Sequence, residues 1–504
     1  MSKNLILDYE QVNDKLRVIC DKYNIIKKEE DLAVTKYGLP ISYYTVGNGN
    51  KDIVITGATH GAELVTTDFV LRLMEEMGEK PEDFGLDEYT FHIIPMLNPE
   101  GYLITSSAVR AKIPRDMDID AAEKICKEYY LAYRSDDRAA IARRKEEKKP
   151  DRVNLKNYQK MFSDVDYTCI SDKYSNIRDS VKNIYVKYSD LPKGSIITWD
   201  ANADGIDIQA NSLYNYFDML KKKVQENAVL DIDDNVVDKQ KTNYSNLSFR
   251  DAINNMHRYG SLRYENIETS HPGPMNCGMD PEVGFYETIE TKAISDLLER
   301  LYNRGTLIGY NNYHSTGGII YHRPSYGGNG VTISDDLYWQ KIVNNVCLAA
   351  LYKNDTYKNL NDVEKSKYGL VNGDAGGPTT TNDIFRMKYP ADLLIELSGM
   401  GGNPIAPYGD IDGNYTNLIN SNIDAFKGYI KNYNIVKKVA EYIYKSIEST
   451  LLKFKGKVDD EETTNEVIKL IYEKAEEMMV EVNKHIKSDG ITDVYVKEKS
   501  GITR

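Results

Sequence analysis

The sequence predicts an α/β protein whose central sheet is mixed, mostly parallel and flanked by helices. A short apolar run at 52–56 is followed by a loop, GATHGAE at 57–63, and then by LVTTDFVLRLMEEM, which has the apolar spacing of an amphipathic helix. A second strand-like run, YTFHIIPMLNP, comes after this helix. Apolar strands return later in the chain, at TLIGYNNYH and ADLLIELSG. Strands that alternate with helices in this way are typical of a largely buried, mostly parallel sheet.

The chain divides into three predicted parts. The pattern of residues 1–31 predicts a polar amphipathic helical segment. Period-two apolar positions after it indicate a strand that ends in a Gly-Asn turn. Residues 32–430 form the principal domain, with polar, helix-prone insertions at about 105–195 and about 215–265. Charged runs of this kind are most often solvated helix faces or loops. Repeated helical patterns predict a C-terminal helical appendage over 431–504.

Composition excludes several classes of protein. The formal net charge is −13, and lysines and arginines are interspersed with acidic residues, so we expect no nucleic-acid and no membrane partner. The five cysteines show no CxxC spacing, which fits neither a disulfide scaffold nor a thiolate zinc site. The N-terminus lacks the pattern of an export signal, and no run reaches about 18 apolar residues. We therefore expect a cytoplasmic protein.

One histidine stands out as a candidate metal ligand. Among the seven histidines, only His60 has a glutamate three residues later, Glu63. A hydrolytic zinc ion commonly has three protein ligands and one open position, and two histidines with one glutamate are an established set. A loop that enters a helix can turn both side chains toward one ion. By itself the pair is weak evidence, because a lone HxxE is common and is explained more simply by a polar loop histidine and a glutamate at a helix start.

Further motifs follow the His60 loop in a fixed order. They are PMLNPEGY (95–102), WDANADGIDIQAN (199–211), FYETIETKAI (285–294), NNYHSTGG (311–318) and DLLIELSG (392–399). In their order along the chain and in their residue patterns they resemble the motifs of the zinc metallocarboxypeptidases, the carboxypeptidase A/B-like peptidases. The resemblance covers about residues 32–430, which it implies to be a zinc peptidase catalytic domain with one Zn²⁺ per chain and a peptide substrate.

The resemblance also implies roles for individual residues. It places the zinc ligands at His60, Glu63 and His314. It makes Glu396 the general base, which takes a proton from the attacking water and delivers it to the leaving amine. A carboxylate within an apolar strand is costly unless it is paired or used, so a buried ion pair is the alternative explanation for Glu396. Asp207 corresponds to an aspartate that hydrogen-bonds a ligand histidine, here His60.

Two of the motifs imply structural residues. Asn98, Pro99 and Gly101 of NPEGY correspond to a tight turn that supports the site, with Glu100 in place of the usual aspartate. Glu290 occupies the position where the family motif opens a helix. We expect a capping or first-turn role for it.

The substrate-binding positions depart from the family pattern. An Asn-Arg pair that holds a C-terminal carboxylate is replaced by Gln209 and Ala210, and alanine cannot form a bidentate clamp. Ile113 stands where an arginine polarises the scissile carbonyl, and we assign that role to Arg110, with Lys112 and Arg115 nearby. Asn372 takes the place of a substrate-capping tyrosine, with Tyr368 as a substitute. The residues assigned to substrate binding are Gln209, Asn211 and Asn372.

These observations predict a zinc-dependent hydrolase, a carboxypeptidase-like metallopeptidase with atypical recognition and with cell-wall-type peptides as one substrate class. The first alternative is a catalytically impaired zinc-binding pseudoenzyme that holds a peptide or protein partner. The second is a zinc deacylase of N-acyl amino acids. The sequence predicts neither the exact substrate nor the oligomeric state.

Overall fold

A computed structural model describes most of the first half of the chain and the central strands of the second half. The ranges are 6–146, 157–187, 192–209, 211, 279–280, 284–285, 288–315, 319–322, 374–376, 392–397, 404–409, 415–416 and 418–430. The predicted insertion at about 215–265, the predicted appendage at 431–504, and the residues Ala210, Tyr368 and Asn372 lie outside these ranges.

Eight helices of more than three residues are found within these ranges, besides several short 3₁₀ turns. They are α1 (Tyr9–Lys22), α2 (Leu64–Glu79), α3 (Pro99–Lys112), α4 (Ile119–Glu146), α5 (Asn157–Lys160), α6 (Ser175–Lys187), α7 (Ile289–Asn303) and α8 (418–430). Their starts follow from capping residues. Asp8 forms a capping box with Gln11 before α1, and Asn98 accepts from the Gly101 N–H at the start of α3. Among the described helices, none is both long and apolar enough to cross a membrane.

The main sheet contains eight strands in the order β1-β4-β6-β5-β9-β12-β10-β11. The strands within the described ranges are β1 (Ile26–Lys28), β2 (Ala33–Val34), β3 (Pro40–Ile41), β4 (Tyr44–Gly47), β5 (Lys51–Thr56), β6 (Tyr89–Ile94), β7 (Met279–Asp280), β8 (Gly284–Phe285), β9 (Leu307–Ser315), β10 (Ile319–His322), β11 (Asp374–Gly376) and β12 (Asp392–Leu397). The central strands β6, β5, β9 and β12 are parallel, as are β10 and β11, whereas β1–β4, β4–β6 and β10–β12 are antiparallel. The predicted mixed, mostly parallel sheet is thus confirmed.

Helices cover both faces of this sheet. Alternate residues of β5 point to opposite sides, so Ile53 and Ile55 join the larger apolar cluster and Val54 joins the smaller one. The larger cluster includes the buried faces of α1, α2 and α3, and the smaller cluster includes the apolar face of α7. Because both faces are buried, β5 and β9 consist of almost wholly buried residues.

The predicted N-terminal segment and the first insertion both pack on the larger cluster. Helix α1 buries Val12 and Leu16 there, and the helices within 105–195 contribute Tyr129, Tyr158 and Val181. These helices are therefore anchored by apolar side chains as well as solvated on their charged faces. The division of the chain into three domains stays a prediction.

The parallel strands bring the candidate site to one edge of the sheet. Strand β5 ends immediately before the 57–63 turn, while His314 and Glu396 lie at the carboxyl ends of β9 and β12. Since parallel strands end at the same edge, the three segments meet there.

Candidate metal centre

The turn at 57–63 is fastened to strand β9 close to His314. The hydroxyls of Thr56 and Thr59 both donate to Oδ1 of Asn312, at 2.9 and 2.8 Å. Asn312 is completely buried and precedes His314 by two positions in β9. The turn that carries His60 is thereby held at a fixed distance from the strand that carries His314.

The glycine of this turn is required by close packing. A Cβ atom at position 61 would lie 2.5 Å from the carbonyl oxygens of both Gly101 and Trp199. The Gly61 N–H donates to the carbonyl oxygen of Asp200 at 3.0 Å. Backbone from three distant parts of the chain thus converges directly behind His60, and only glycine permits this approach.

His60, Glu63 and His314 form one buried cluster. Nδ1 of His60 lies 2.9 Å from Oε1 of Glu63, and Nδ1 of His314 lies 3.1 Å from Oε2 of the same carboxylate. One donor atom from each residue falls within 4.8 Å of the other two, and all three side chains are buried. The two imidazole rings are 4.9 Å apart and inclined at 69°. The structure therefore brings the three predicted ligands together.

The donor set suits zinc. Two imidazole nitrogens and one carboxylate are an established ligand set for a catalytic zinc ion that keeps one position open. The far nitrogen of His60, Nε2, lies 3.4 Å from Oδ1 of Asp207, and the N–H of Gln209 donates to that same oxygen at 2.9 Å. A carboxylate on the far side of a ligand imidazole fixes the orientation of the ring and raises its basicity. Asp207 is thus placed where the sequence predicted.

The charged side chains of the cluster shift one another's pKa values. Burial would raise the pKa of Glu63, but the neighbouring His314 and His60 lower it to about 2. Burial would lower the pKa of His60, but Glu63 and Asp207 raise it well above its ordinary value. Glu63 also stands at the N-terminal end of α2, where the helix dipole favours a negative charge. A divalent cation that binds here consequently competes with a proton.

Glu396 lies beside this cluster. It is the residue of β12 that pairs directly with His314 of β9. Burial raises the pKa of Glu396 well above its ordinary value, the charges of Glu63 and Asp200 raise it further, and His60 lowers it. None of the charged groups that shift this pKa is a lysine or arginine, so nothing in the described part of the chain indicates the alternative ion pair.

Asp200 is a site residue that sequence reasoning missed. It is 3 % exposed, its charge acts on Glu396, and its carbonyl oxygen accepts from Gly61 and from Nδ2 of Asn98. The available signal was an acidic residue directly after Trp199 in a motif already matched to the family. The predicted turn residue Asn98 thus supports the site by capping α3 and by holding the Asp200 backbone.

The structure corrects the expectation for Arg110. Its guanidinium donates to Oδ2 of Asp8 at 3.1 Å, to Oε1 of Gln11 at 2.7 Å, to the carbonyl oxygen of Ile113 at 3.0 Å and to that of Ile6. Asn98 is at the start of α3 and Arg110 is near its end, which separates them by about 18 Å at 1.5 Å per residue. Arg110 therefore fastens α1 to α3 and is not a group of the metal centre.

The two neighbouring cations are also engaged elsewhere. Nζ of Lys112 pairs with Asp164, and Arg115 donates to both oxygens of Asp8, at 2.7 and 2.8 Å. In the ranges that the structure describes, none of the three cations considered from the sequence reaches the cluster.

The predicted substrate-binding residues have different outcomes. Asn211 is completely buried, and its Oδ1 accepts from the Thr288 N–H at 2.7 Å, so it fixes the start of α7 and does not face a substrate. This corrects its assignment. Gln209 is partly exposed next to Asp207, and its role stays a prediction. Asn372 lies outside the described residues.

Comparison with known proteins agrees with the sequence motifs. Residues 16–169 match the family model for zinc carboxypeptidases. The chain is 25 % identical over 103 residues to carboxypeptidase B of Astacus astacus, an alignment that covers 19 % of this chain and 34 % of that protein. The chain therefore matches about a third of the length of this relative.

Two solved structures of low similarity were also found. Bovine thrombin-activatable fibrinolysis inhibitor, in complex with tick carboxypeptidase inhibitor, has a TM-score of 0.42 and 11 % identity and covers 85 % of this chain and 97 % of its own. Carboxypeptidase A from Helicoverpa armigera has a TM-score of 0.42 and 12 % identity and covers 84 % and 74 %. At these values the likeness carries no argument about activity.

Proposed function

We propose that this divergent member of the zinc carboxypeptidase family is a zinc-dependent metallopeptidase that hydrolyses a peptide or amide bond. His60, Glu63 and His314 would hold one zinc ion per chain, and Glu396 would be the general base. The observation that carries the proposal is the buried His-Glu-His cluster together with Glu396, which pairs directly with His314.

The chemistry divides between the metal ion and the chain. A zinc ion lowers the pKa of water to about 7 and polarises a carbonyl oxygen. Glu396 takes a proton from the attacking water and transfers it to the amine that leaves. Burial raises the pKa of Glu396, which favours retention of the proton that it delivers to the leaving amine. Asp207 holds the ring of His60 in the orientation that turns Nδ1 toward Glu63, the other ligand from the same turn.

The substrate is proposed to be an unusual peptide. Ala210 stands where the family pattern has the carboxylate-binding arginine, so a C-terminal carboxylate has no bidentate partner at that position. Cell-wall-type peptides, which some family members cleave, are one class that fits. Cytoplasmic location and the exclusion of nucleic-acid and membrane partners stay predictions.

Metal analysis combined with one variant tests the proposal. The wild-type protein should contain about one zinc per chain and should cleave members of a short-peptide library, detected by mass spectrometry of the products. Glu396→Gln should keep the zinc and lose turnover by a factor of about 100 to 10,000. Unchanged turnover in this variant would remove Glu396 from the mechanism. A wild-type protein without zinc would refute the proposal.

A zinc-binding protein without catalysis is the second candidate. It is favoured by the placement of Arg110, Lys112 and Arg115, because none of them reaches the cluster to stabilise a developing oxyanion. Stoichiometric zinc without cleavage of any library peptide or N-acyl amino acid would select this candidate. Cleavage confined to N-acyl amino acids would select a deacylase.

A further inference from the structure

Two buried acidic residues contact the segment 199–207, which contains Asp207. Glu100 is 1 % exposed and Glu290 is 2 % exposed. Of the two roles expected for Glu290, the cap belongs to Thr288, whose hydroxyl accepts from the Thr291 N–H at 3.2 Å, whereas Glu290 does lie in the first turn of α7. Burial of a charged carboxylate is costly, so two of them, one of which acts electrostatically on the other, need a reason.

Glu100 binds the segment 199–207 from one side. Its Oε2 accepts from the Ala203 N–H at 3.1 Å, and its Oε1 accepts from the Tyr37 N–H at 3.3 Å. The hydroxyl of Thr35 is a further hydrogen-bond partner. Since Glu100 is in the first turn of α3, these bonds fasten the segment to that helix and to the turn at 35–37.

Glu290 binds the same segment from the other side. It hydrogen-bonds with the side chains of Asn202 and Thr288. Oδ1 of Asn202 in turn accepts from the N–H groups of Asp204 and Ile206, both at 3.0 Å. Asn202 therefore shapes the turn that leads into Asp207, and Glu290 connects that turn to the start of α7.

The charges around the pair favour retention of a proton. Burial, and then the charge of Glu100, raises the pKa of Glu290 to about 7, and burial raises the pKa of Glu100. The other charged group that acts on Glu100 is Asp204, which pairs with Lys36 at 2.9 Å. In the described ranges no lysine or arginine forms an ion pair with either Glu100 or Glu290.

We propose that Glu100 and Glu290 are positioning residues of the metal centre: through Ala203 and Asn202 they hold residues 199–207 so that Asp207 stays against His60. When both carboxyl groups ionise, their repulsion loosens the segment and Asp207 loses its hold on the ring. The pair thus acts on the metal site indirectly, through Asp207 and the ring of His60. This inference rests on the proposed metal centre, but its effect does not depend on turnover.

Zinc affinity as a function of pH tests the proposal on the full chain. Glu290→Gln keeps a neutral, hydrogen-bonding group at every pH. Affinities of wild type and variant, measured by competition with a chelator from about pH 6 to about pH 9, should agree at the acid end. At the alkaline end wild type should bind zinc about tenfold more weakly than the variant does. Disturbing the partner of a ligand histidine typically weakens metal binding by about 10- to 100-fold, and we expect the lower end of that range. Protons compete with zinc at His60 in both proteins alike, so this competition cancels when the zinc affinities of wild type and variant are compared as a ratio at each pH.

A matched control and a second variant keep the test decisive. Glu82→Gln changes an exposed glutamate and should follow wild type at all pH values. Glu100→Gln removes one of two acceptor oxygens and should weaken zinc binding at every pH in the range. An affinity ratio between wild type and Glu290→Gln that is constant with pH would overturn the proposal.

Hydrogen exchange in the metal-free protein separates this inference from the proposed function. After correction for intrinsic rates, amides of 199–207 should exchange faster in wild type than in Glu290→Gln above about pH 7, where both carboxyl groups ionise. If the protein binds no zinc but shows this difference, the proposed function fails and the positioning role stands. Equal exchange in both proteins overturns the positioning role whether or not zinc binds.

Discussion

Glu396 and His314 occupy paired positions on the neighbouring parallel strands β12 and β9. Directly paired residues of adjacent strands present their side chains to the same face of a sheet. A proposed base and a proposed metal ligand are thereby set next to each other by backbone hydrogen bonding, without any flexible loop between them. Sites built on strands keep their geometry more accurately than sites built on loops.

Asp200 is expected to tune the pKa of Glu396. Its negative charge raises that pKa, after burial and Glu63, so Asp200→Asn should lower it. A base works when deprotonated, and the acid limb of kcat/KM should therefore move to lower pH in the variant. The measurement is a pH–rate profile from about pH 5 to about pH 8, with the exposed Asp179→Asn as control. A limb that stays in place or moves to higher pH contradicts the assignment.

Asp207→Ala should weaken zinc binding by about 10- to 100-fold, because the His60 ring loses the carboxylate 3.4 Å from its Nε2. Competition with a chelator at constant pH measures the change. Asp179→Ala removes an exposed aspartate far from the ligands in sequence and should leave the affinity unaltered. Full affinity in Asp207→Ala would show that the ring is oriented by other contacts.

Gly101→Ala should damage both packing and metal binding. The added Cβ would lie 2.5 Å from the carbonyl oxygen of Ala201, so α3 or the segment 199–207 must shift. We expect a loss of about 1–3 kcal/mol in the free energy of unfolding and weaker zinc binding. Gly78→Ala is the matched control, since its Cβ meets the Tyr23 ring on the outer side of α2. That control should lose stability and keep its zinc affinity.

Arg110→Ala tests whether this arginine is structural. Loss of its bonds to Asp8 and Gln11 should lower the free energy of unfolding by about 1–3 kcal/mol, with kcat unchanged. Arg17→Ala breaks an exposed pair with Asp14 and should cost at most about 1 kcal/mol. Denaturant unfolding and steady-state kinetics give the two readouts. A kcat reduced about 100-fold in a stable Arg110→Ala protein would restore its catalytic assignment.

Asp52 should contribute to acid denaturation. Burial opposes its ionisation, but bonds from His92, Thr306 and Arg304 lower its pKa to about 2. A depressed pKa in the folded state stabilises the protein above the unfolded value near 4, and this stabilisation is lost as pH falls toward 2. Asp52→Asn should flatten the fall in unfolding free energy between about pH 4 and pH 2, a change on the order of 2 kcal/mol. Asp21→Asn, an exposed control, should retain the wild-type slope.

The sequence predicted the central fold because its signals are local. The apolar period of 52–56 and the amphipathic pattern after Glu63 correspond to β5 and α2 within one or two residues. The metal cluster was predicted through resemblance, because no local rule connects His60 with His314 across so long a stretch of chain.

The errors arose where three-dimensional direction mattered. Arg110 was chosen from its spacing after the NPEGY motif, but a helix continuous to Lys112 moves it away from the site. Asn211 was assigned to substrate from its motif position, whereas its burial could not be deduced from sequence. Asp200 was missed because an acidic residue directly after Trp199 has no distinctive pattern of its own beyond its place in a matched motif. Glu100 was noted only as a replacement for the usual aspartate, because its burial could not be deduced from sequence.

The ligands of the cluster belong to segments that a ribosome delivers at very different times. His60 and Glu63 leave the exit tunnel early, whereas His314 and Glu396 follow only after most of the polypeptide has been made. Strand β9 must then insert between β5 and β12, a pairing of high sequence separation that is intrinsically slow. A nascent chain that ends before β9 therefore has two of the three proposed ligands, and the third joins them only when β9 pairs with β5.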